Sequence, residues 1–294
     1  MHIPSFSLLS NALFSGILLG GLFAVAALGL SLVFGVMRLL NLVHGELIIF
    51  AGYLSLLIIR HTHMDPLLTI FIVAPALFLL GIPLYRFVLE PLKHKGAEPA
   101  MLTTFGLSVI AQSLFILLWS GDTQSLPASY ATHSIKILGY RAPVMYLISF
   151  AISLVLFGSV QLMIQHTGLG REIRASSEDP SAAAAIGVNV VRIHTFVYAL
   201  AAACAAIAGV LIGTTLDFAP STGMTYLLSG FAVVVLGGLG SVKGTFFGAI
   251  TLGIIESVGG AFFGDGYRTF VGFIAFLVVL SVRPQGIFGR AARV

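Results

Sequence analysis

Long apolar runs, most of them near the length of one membrane crossing, alternate along this chain with short polar breaks. The first runs from Leu8 to Val36 and ends at Arg38 and the polar patch Asn41–Glu46. Leu47–Ile59 follows and closes at Arg60, His61, His63 and Asp65. Leu67–Val88 is interrupted by Pro75 and Pro83 and leads into a basic-leaning loop with Lys93, His94 and Lys95. Further runs cover Ala100–Trp119, Pro143–Gln165, Ile193–Gly213, Tyr226–Val258 and Thr269–Val282. The run from Tyr226 is broken by GGLGSVKG at Gly237–Gly244. A bilayer core takes about 20 apolar residues per helix. The pattern therefore predicts an all-α, polytopic membrane helix bundle with eight or nine passes, some of them broken helices, in one domain over residues 1–294. The count turns on whether the breaks at Arg38–Glu46 and Gly240–Gly244 reach a surface or stop inside the membrane.

Composition agrees: 58% of residues are hydrophobic and 9% charged, against about 25% charged in an ordinary soluble domain. Lipid is the solvent in which so much apolar surface is tolerated. The first Lys or Arg is Arg38, so no cleaved leader is expected. Cys204 is the one cysteine and sits in an apolar run, where it reads as an inert small core residue. Net charge is +4, but placement matters more than the sum. Lys and Arg favour the cytoplasmic side. That rule puts Arg86–Lys95, Arg171–Arg192 and the tail with Arg283, Arg290 and Arg293 inside. The turns at Arg60–Asp65, Gly121–Arg141, Asp217 and Asp265 then face outward, as does the amino terminus.

The longest polar interruption, Gly168–Arg192, looks built rather than merely exposed, and residues 166–192 are expected to form one cytoplasmic loop. Asp179 can cap a first turn, Pro180 suits the first helical position, and Ala182–Ala185 propagate the helix cheaply. Gly187 can take the left-handed conformation that ends it. About two turns of helix do not persist alone in water, so this one needs a support, either the neighbouring spans or a docked partner.

Other candidate chemistry is sparse. Asn41, His44 and Glu46 are polar groups in an apolar region, and should face the bundle interior or water. They line a pathway, satisfy backbone at a helix break, or simply sit at the cytoplasmic surface. Two interrupted segments, Phe34–Gly52 and Leu236–Gly248, echo each other weakly, as the broken helices of transport pathways do. Gly45 and Gly244 are the expected break points, with Gly237, Gly238, Gly240 and Ser241 beside the second. The pairs Gly16/Gly20, Gly244/Gly248 and Gly260/Gly264 have the spacing that lets helices approach closely. His61 and His63 lack further ligands at metal-site spacing, so no metal is expected. In GGLGSVKG the lysine precedes the last glycine, the reverse of a phosphate loop, and no nucleotide site is read. No nucleophile with a paired base stands out.

Three blocks in order resemble a known family. They are Gly29–Gly35 with Asn41–Glu46; Gly168–Arg171, Arg174, Ala175, Glu178, Asp179, Ala182, Ala183 and Ile186–Asn189; and Ala208–Leu211 with Val235–Gly244. The chain resembles the permease subunits of branched-chain amino-acid ABC importers, the shorter LivH type most closely, with Phe246 and Phe247 as a departure. The resemblance implies a bacterial inner-membrane subunit that does no covalent chemistry and moves substrate by alternating access. It implies two ABC ATPase subunits that bind the ATP and Mg, a second related permease and a soluble substrate-binding protein, and no nucleic acid. It implies that Arg171, Arg174, Glu178, Asp179, Ala182, Ala183 and Gly187 form a coupling helix docking on the ATPase. Urea, amide and sugar permeases of the wider family are the near alternative, and an ion-coupled carrier the distant one.

Overall fold

The computed structural model describes residues 6–137, 139–283 and 286–287; the expected tail cations Arg290 and Arg293 lie outside them. Eleven α-helices follow in order: α1 (Phe6–Met37), α2 (His44–Thr62), α3 (Pro66–Pro83), α4 (Ala97–Trp119), α5 (Val144–His166), α6 (Gly168–Glu178), α7 (Pro180–Ala185), α8 (Val190–Thr215), α9 (Gly223–Gly237), α10 (Val242–Phe263) and α11 (Arg268–Val282). Nine stretches among the described residues are long and apolar enough to cross a membrane, the upper of the two expected counts. One small antiparallel hairpin, β1 (Ser134–Ile137) with β2 (Tyr140–Pro143), interrupts an otherwise helical chain.

α1 is apolar on every side, and a helix of that kind belongs in the centre of a bundle. It is buried from Gly16 through Val33 with few gaps. α10 lies antiparallel along it. A Cβ on Gly16 would meet Ile254 Cα at 2.7 Å, one on Gly20 would meet Ile250 Cα at 2.6 Å, and Thr245 Oγ1 donates to Ser31 Oγ at 2.7 Å. The small residues thus bring the two backbones together, which is how helices associate where no hydrophobic drive operates between them. α8 and α2 complete the core, while α4 and α11 present mostly exposed apolar side chains, as lipid-facing helices do.

Pro83 cannot donate a backbone hydrogen bond and crowds the preceding turn. The chain continues past it as a π-helical segment, Leu84–Leu89, a device common at functional sites. Its effect is to turn Tyr85 inward, to 1% exposure.

The turns gather at two ends. At one, Gly35 near the end of α1 abuts Gly240 in the α9–α10 turn, and the last turn of α5 and α6 line the same cavity. The backbone N–H of Ile287 donates to Leu236 O, bringing the segment after α11 there too. This end carries Lys93, Arg171, Arg174, Arg192, Lys243 and Arg283 and is called the basic end. At the opposite end Arg60 reaches Gln124, Gln124 pairs with Phe218, and Arg141 N–H donates to Asn11. Tyr130 donates to Asp65 at 2.7 Å there, and burial beside that carboxylate pushes the phenol well above its usual range.

Candidate functional site: a buried helix junction and the loop tied to it

The break after α1 does not lie at the surface. His44 opens α2, and its Nε2–H donates to Ala26 O at 3.1 Å. Ala26 is about 16 Å back from the end of α1 at 1.5 Å per residue. The connection Arg38–Val43 therefore climbs along α1 before α2 begins. From the opposite end, Leu216–Thr222 descends after α8 until α9 begins at Gly223. The two helix starts meet: a Cβ on Gly45 would overlap Gly223 O, and Glu46 Oε1 lies 2.6 Å from where a Gly223 Cβ would be. Non-helical backbone at such depth is tolerated only where protein encloses it.

Two helix N-termini at one place concentrate unpaired N–H groups and positive dipole ends. A carboxylate is the side chain that suits such a place. Glu46 supplies it, 4% exposed, with Oε1 accepting from Ser108 Oγ at 3.1 Å. Its Oε2, His44 Nδ1 and Asn41 Oδ1 are buried without hydrogen-bond partners. Toward the opposite end the junction is covered by rings: Tyr53 stacks on Trp119 at 4.8 Å and meets Phe218 edge-on at 5.1 Å.

The residues expected to line a pathway or mark helix breaks fall into two places. Asn41, His44, Gly45 and Glu46 are at the buried junction. Gly237, Gly238, Gly240, Ser241 and Gly244 form a tight turn at the basic end. There Gly238 and Gly240 take φ of 92° and 79°, and Ser241 caps α10 by accepting from Gly244 N–H at 3.1 Å. The breaks within Phe34–Gly52 and Leu236–Gly248 thus lie at different places along the bundle. The segment that mirrors Arg38–Val43 is Leu216–Thr222. Phe246 packs on Phe150 and Phe157 between α5 and α10.

The loop at the basic end has the expected caps. Asp179 Oδ1 accepts from Ser181 N–H at 2.8 Å and Ala182 N–H at 3.0 Å. Gly187 sits at φ 91°, with Val188 N–H bonded to Ala183 O and Gly187 N–H to Ala184 O, each at 3.0 Å, the paired bonds of a Schellman cap. Ala183 faces inward, 3% exposed, whereas Ile186 is 78% exposed, with Ala182, Ala184 and Ala185 also open. The outer face of α7 is therefore Ala182, Ala184, Ala185 and Ile186, and Ala183 holds it to the body. Arg171, Glu178 and Asp179 are exposed around it, and the Arg174 guanidinium donates to Ile164 O. α6, not anticipated as a helix, is capped by Thr167 and lays Gly170, Ile173 and Ser176 against the bundle.

A hydrogen-bonded chain runs from this loop toward the junction. Tyr85 Oη donates to Glu90 Oε2 at 2.6 Å, so it accepts from His194 Nδ1–H at 3.2 Å. That leaves His194 Nε2 to accept from Ser176 Oγ at 3.1 Å. Tyr85 also contacts Tyr198, ring centroids 5.9 Å apart, and Tyr198 bonds the side chain of Asn41. Sequence reading missed this chain, because its members are single polar letters in four separate segments. It also missed Glu256, buried in α10 at 5% exposure opposite Arg268, whose side chain bonds Tyr146. A lone acid inside an apolar run was the available signal.

The family model described as branched-chain amino acid transport system / permease component matches residues 12–282. The chain belongs to that family. LivH of Salmonella typhimurium, named a high-affinity branched-chain amino acid transport system permease protein, is 29% identical over 296 residues, covering 95% of this chain and 94% of its own. BraD of Pseudomonas aeruginosa, named likewise, is 28% identical over 291 residues, 95% of each chain. The ribose import permease RbsC of Haemophilus influenzae is 28% identical over 198 residues, 62% of this chain and 58% of its own. Among solved structures, a chain of PsaBC from Streptococcus pneumoniae in complex with Fab superposes with TM-score 0.51 at 15% identity, over 96% of this chain and 94% of that one. That likeness concerns the fold. This branched-chain-type permease component is thus a multi-pass membrane protein.

Proposed function

We propose that this permease component carries branched-chain amino acids, or close relatives of them, across a bacterial inner membrane as one subunit of an ATP-driven importer. The observation that carries this reading is α7. It is a doubly capped knob with an open small-residue face, set on α6 and tied through Ser176 and His194 to α8, which packs against the buried junction. The basic-residue bias makes its end of the bundle cytoplasmic. ATP and Mg would be bound by two ABC ATPase subunits docked on α7 and on its equivalent in a second related permease. A soluble binding protein would deliver substrate at the opposite face. The chain itself performs no covalent chemistry; its part is to open the junction of α2 and α9 to one side and then the other.

The test is reconstitution with the ATPases, the second permease and the binding protein in liposomes. Labelled leucine, isoleucine, valine, urea, short amides and ribose form the panel. ATP-dependent leucine, isoleucine or valine uptake that needs all components supports the reading. Uptake of ribose, urea or an amide in their place replaces the substrate class, and uptake driven by an ion gradient without ATPases overturns the mechanism.

A further inference from the structure

The exposed side of α5 and α10 holds a groove of about 260 Å³. Leu154, Phe157 and Gly158 of α5 form one wall, and Val242, Phe246 and Phe247 of α10 form the other. The floor is aromatic: the Phe157 and Phe246 ring centroids lie 5.2 Å apart, and Phe157 is buried. Leu154 and Phe247 stand at the sides, each about half exposed. Gly158 keeps the groove open, since a Cβ there would meet no atom within 4 Å. From Leu154 to Gln161 the groove runs about 10 Å along α5, at 1.5 Å per residue. That length fits within one leaflet of a hydrocarbon core about 30 Å thick. The polar groups are all at one end. α5 ends at the basic end and α10 starts there, so Gln161 and Lys243 close the groove on that side. None of the lining residues is acidic, and Lys243 has no ion-pair partner among the described residues.

An apolar slot beneath an unpaired cation sets two demands on its occupant. An apolar helix or a neutral lipid fills the slot and leaves the ammonium without a counter-ion. A free anion neutralises the lysine and leaves the slot unfilled. One anionic phospholipid meets both demands in the order a leaflet presents them, phosphate at the interface and acyl chain beneath. We propose that this groove binds an anionic phospholipid of the cytoplasmic leaflet. The phosphate pairs with Lys243 and accepts from the Gln161 amide. One acyl chain lies on the Phe157 and Phe246 rings and passes Gly158. The basic-residue rule puts this end at the cytoplasm, and the surface of that leaflet is negative. The site does not depend on which solute the chain carries.

The experiment is native mass spectrometry of the full chain in detergent, titrated with phosphatidylglycerol or with phosphatidylcholine of the same acyl chains. Phosphatidylglycerol should be retained about fivefold more strongly, the value of one lysine against an anionic lipid surface. Lys243→Gln should bring it down to the phosphatidylcholine level, while Lys95→Gln, exposed at the same end, leaves the preference intact. Gly158→Leu should lower retention of both lipids several-fold by filling the groove. Lys243 is exposed and the space at 158 is open, so both variants should keep the wild-type unfolding temperature. Equal retention of the two lipids, or unchanged retention in both variants, would overturn the proposal. An equal loss in Lys95→Gln would reduce the effect to bulk attraction and overturn it too. Displacement of the lipid by inorganic phosphate would make Lys243 a simple anion site. The last arm uses a cysteine at 158 in a Cys204→Ala background and a membrane-soluble maleimide. Labelling that persists in the fully assembled transporter supports a lipid occupant, and protection on assembly would put a partner's helix in the groove instead.

Discussion

At the scale of single residues, Tyr85 shows how one hydroxyl joins three helical segments. It donates to Glu90 and accepts from His194, which in turn accepts from Ser176. Tyr85→Phe keeps the packing but leaves the imidazole N–H unpaired in a buried place, at a cost of about 1–3 kcal/mol. The expected outcome is a modest fall in thermal stability, ATPase complex still formed, and less substrate moved per ATP hydrolysed. An unchanged transport-to-hydrolysis ratio would show that the hydroxyl only stabilises. Gly45 is a second such point. Any Cβ there overlaps the backbone of Gly223, whereas Gly106 in α4 has open space around it. Gly45→Ala should abolish uptake. Gly106→Ala should leave uptake intact and stabilise slightly, by about 0.5–1 kcal/mol. Uptake measured for both variants at matched expression decides it.

Among elements, α7 was the most legible from sequence, because a capped helix writes its instructions locally. Asp179, Pro180 and Gly187 act within a few residues of themselves, and each plays the expected role in the backbone. The depth of the break after α1 was not legible. Arg38–Val43 reads the same whether it lies on the surface or alongside Ala26, since the difference is made by Gly223, far along the chain. The Ser176–His194–Tyr85 chain was hidden for the same reason. For α7 the structure also relocates the face to be tested. Ala185→Arg or Ile186→Asp should leave the permease inserted and its unfolding temperature near wild type, while co-purification with the ATPases falls sharply. Gly187→Leu, forced to φ 91°, should cost about 1–2 kcal/mol and tilt α7. Full co-purification by both surface variants would make α7 an ornament of the loop rather than a docking element.

For the whole molecule, alternation of nine spans fixes which turns share an end, and the charges decide which end faces the cytoplasm. Single cysteines at positions 93 and 171 should react with an impermeant reagent from the cytoplasmic side only, and one at 136 from the other, in a Cys204→Ala background. Cys204 lies buried among alanines of α8, so its loss should be tolerated and its own thiol silent. Reaction of 136 and 171 from the same side would overturn the arrangement. Hydropathy made the spans plain because each crossing must satisfy its backbone internally. It says nothing of which spans touch, because lipid and protein interior are equally apolar.

The packing of α1 against α10 sets a timetable for biosynthesis. Gly16 emerges early, yet the backbone it was shaped for is that of Ile254. At roughly 5–20 residues per second the ribosome needs about 10–50 s to deliver that partner. For all that time the most deeply buried span of the protein stands in the bilayer with its glycine groove unfilled. In water such a delay would invite aggregation; in lipid, acyl chains occupy the groove and leave when α10 arrives. The first helix made is among the last to reach its final neighbours, so the core of this bundle closes only when synthesis is nearly done.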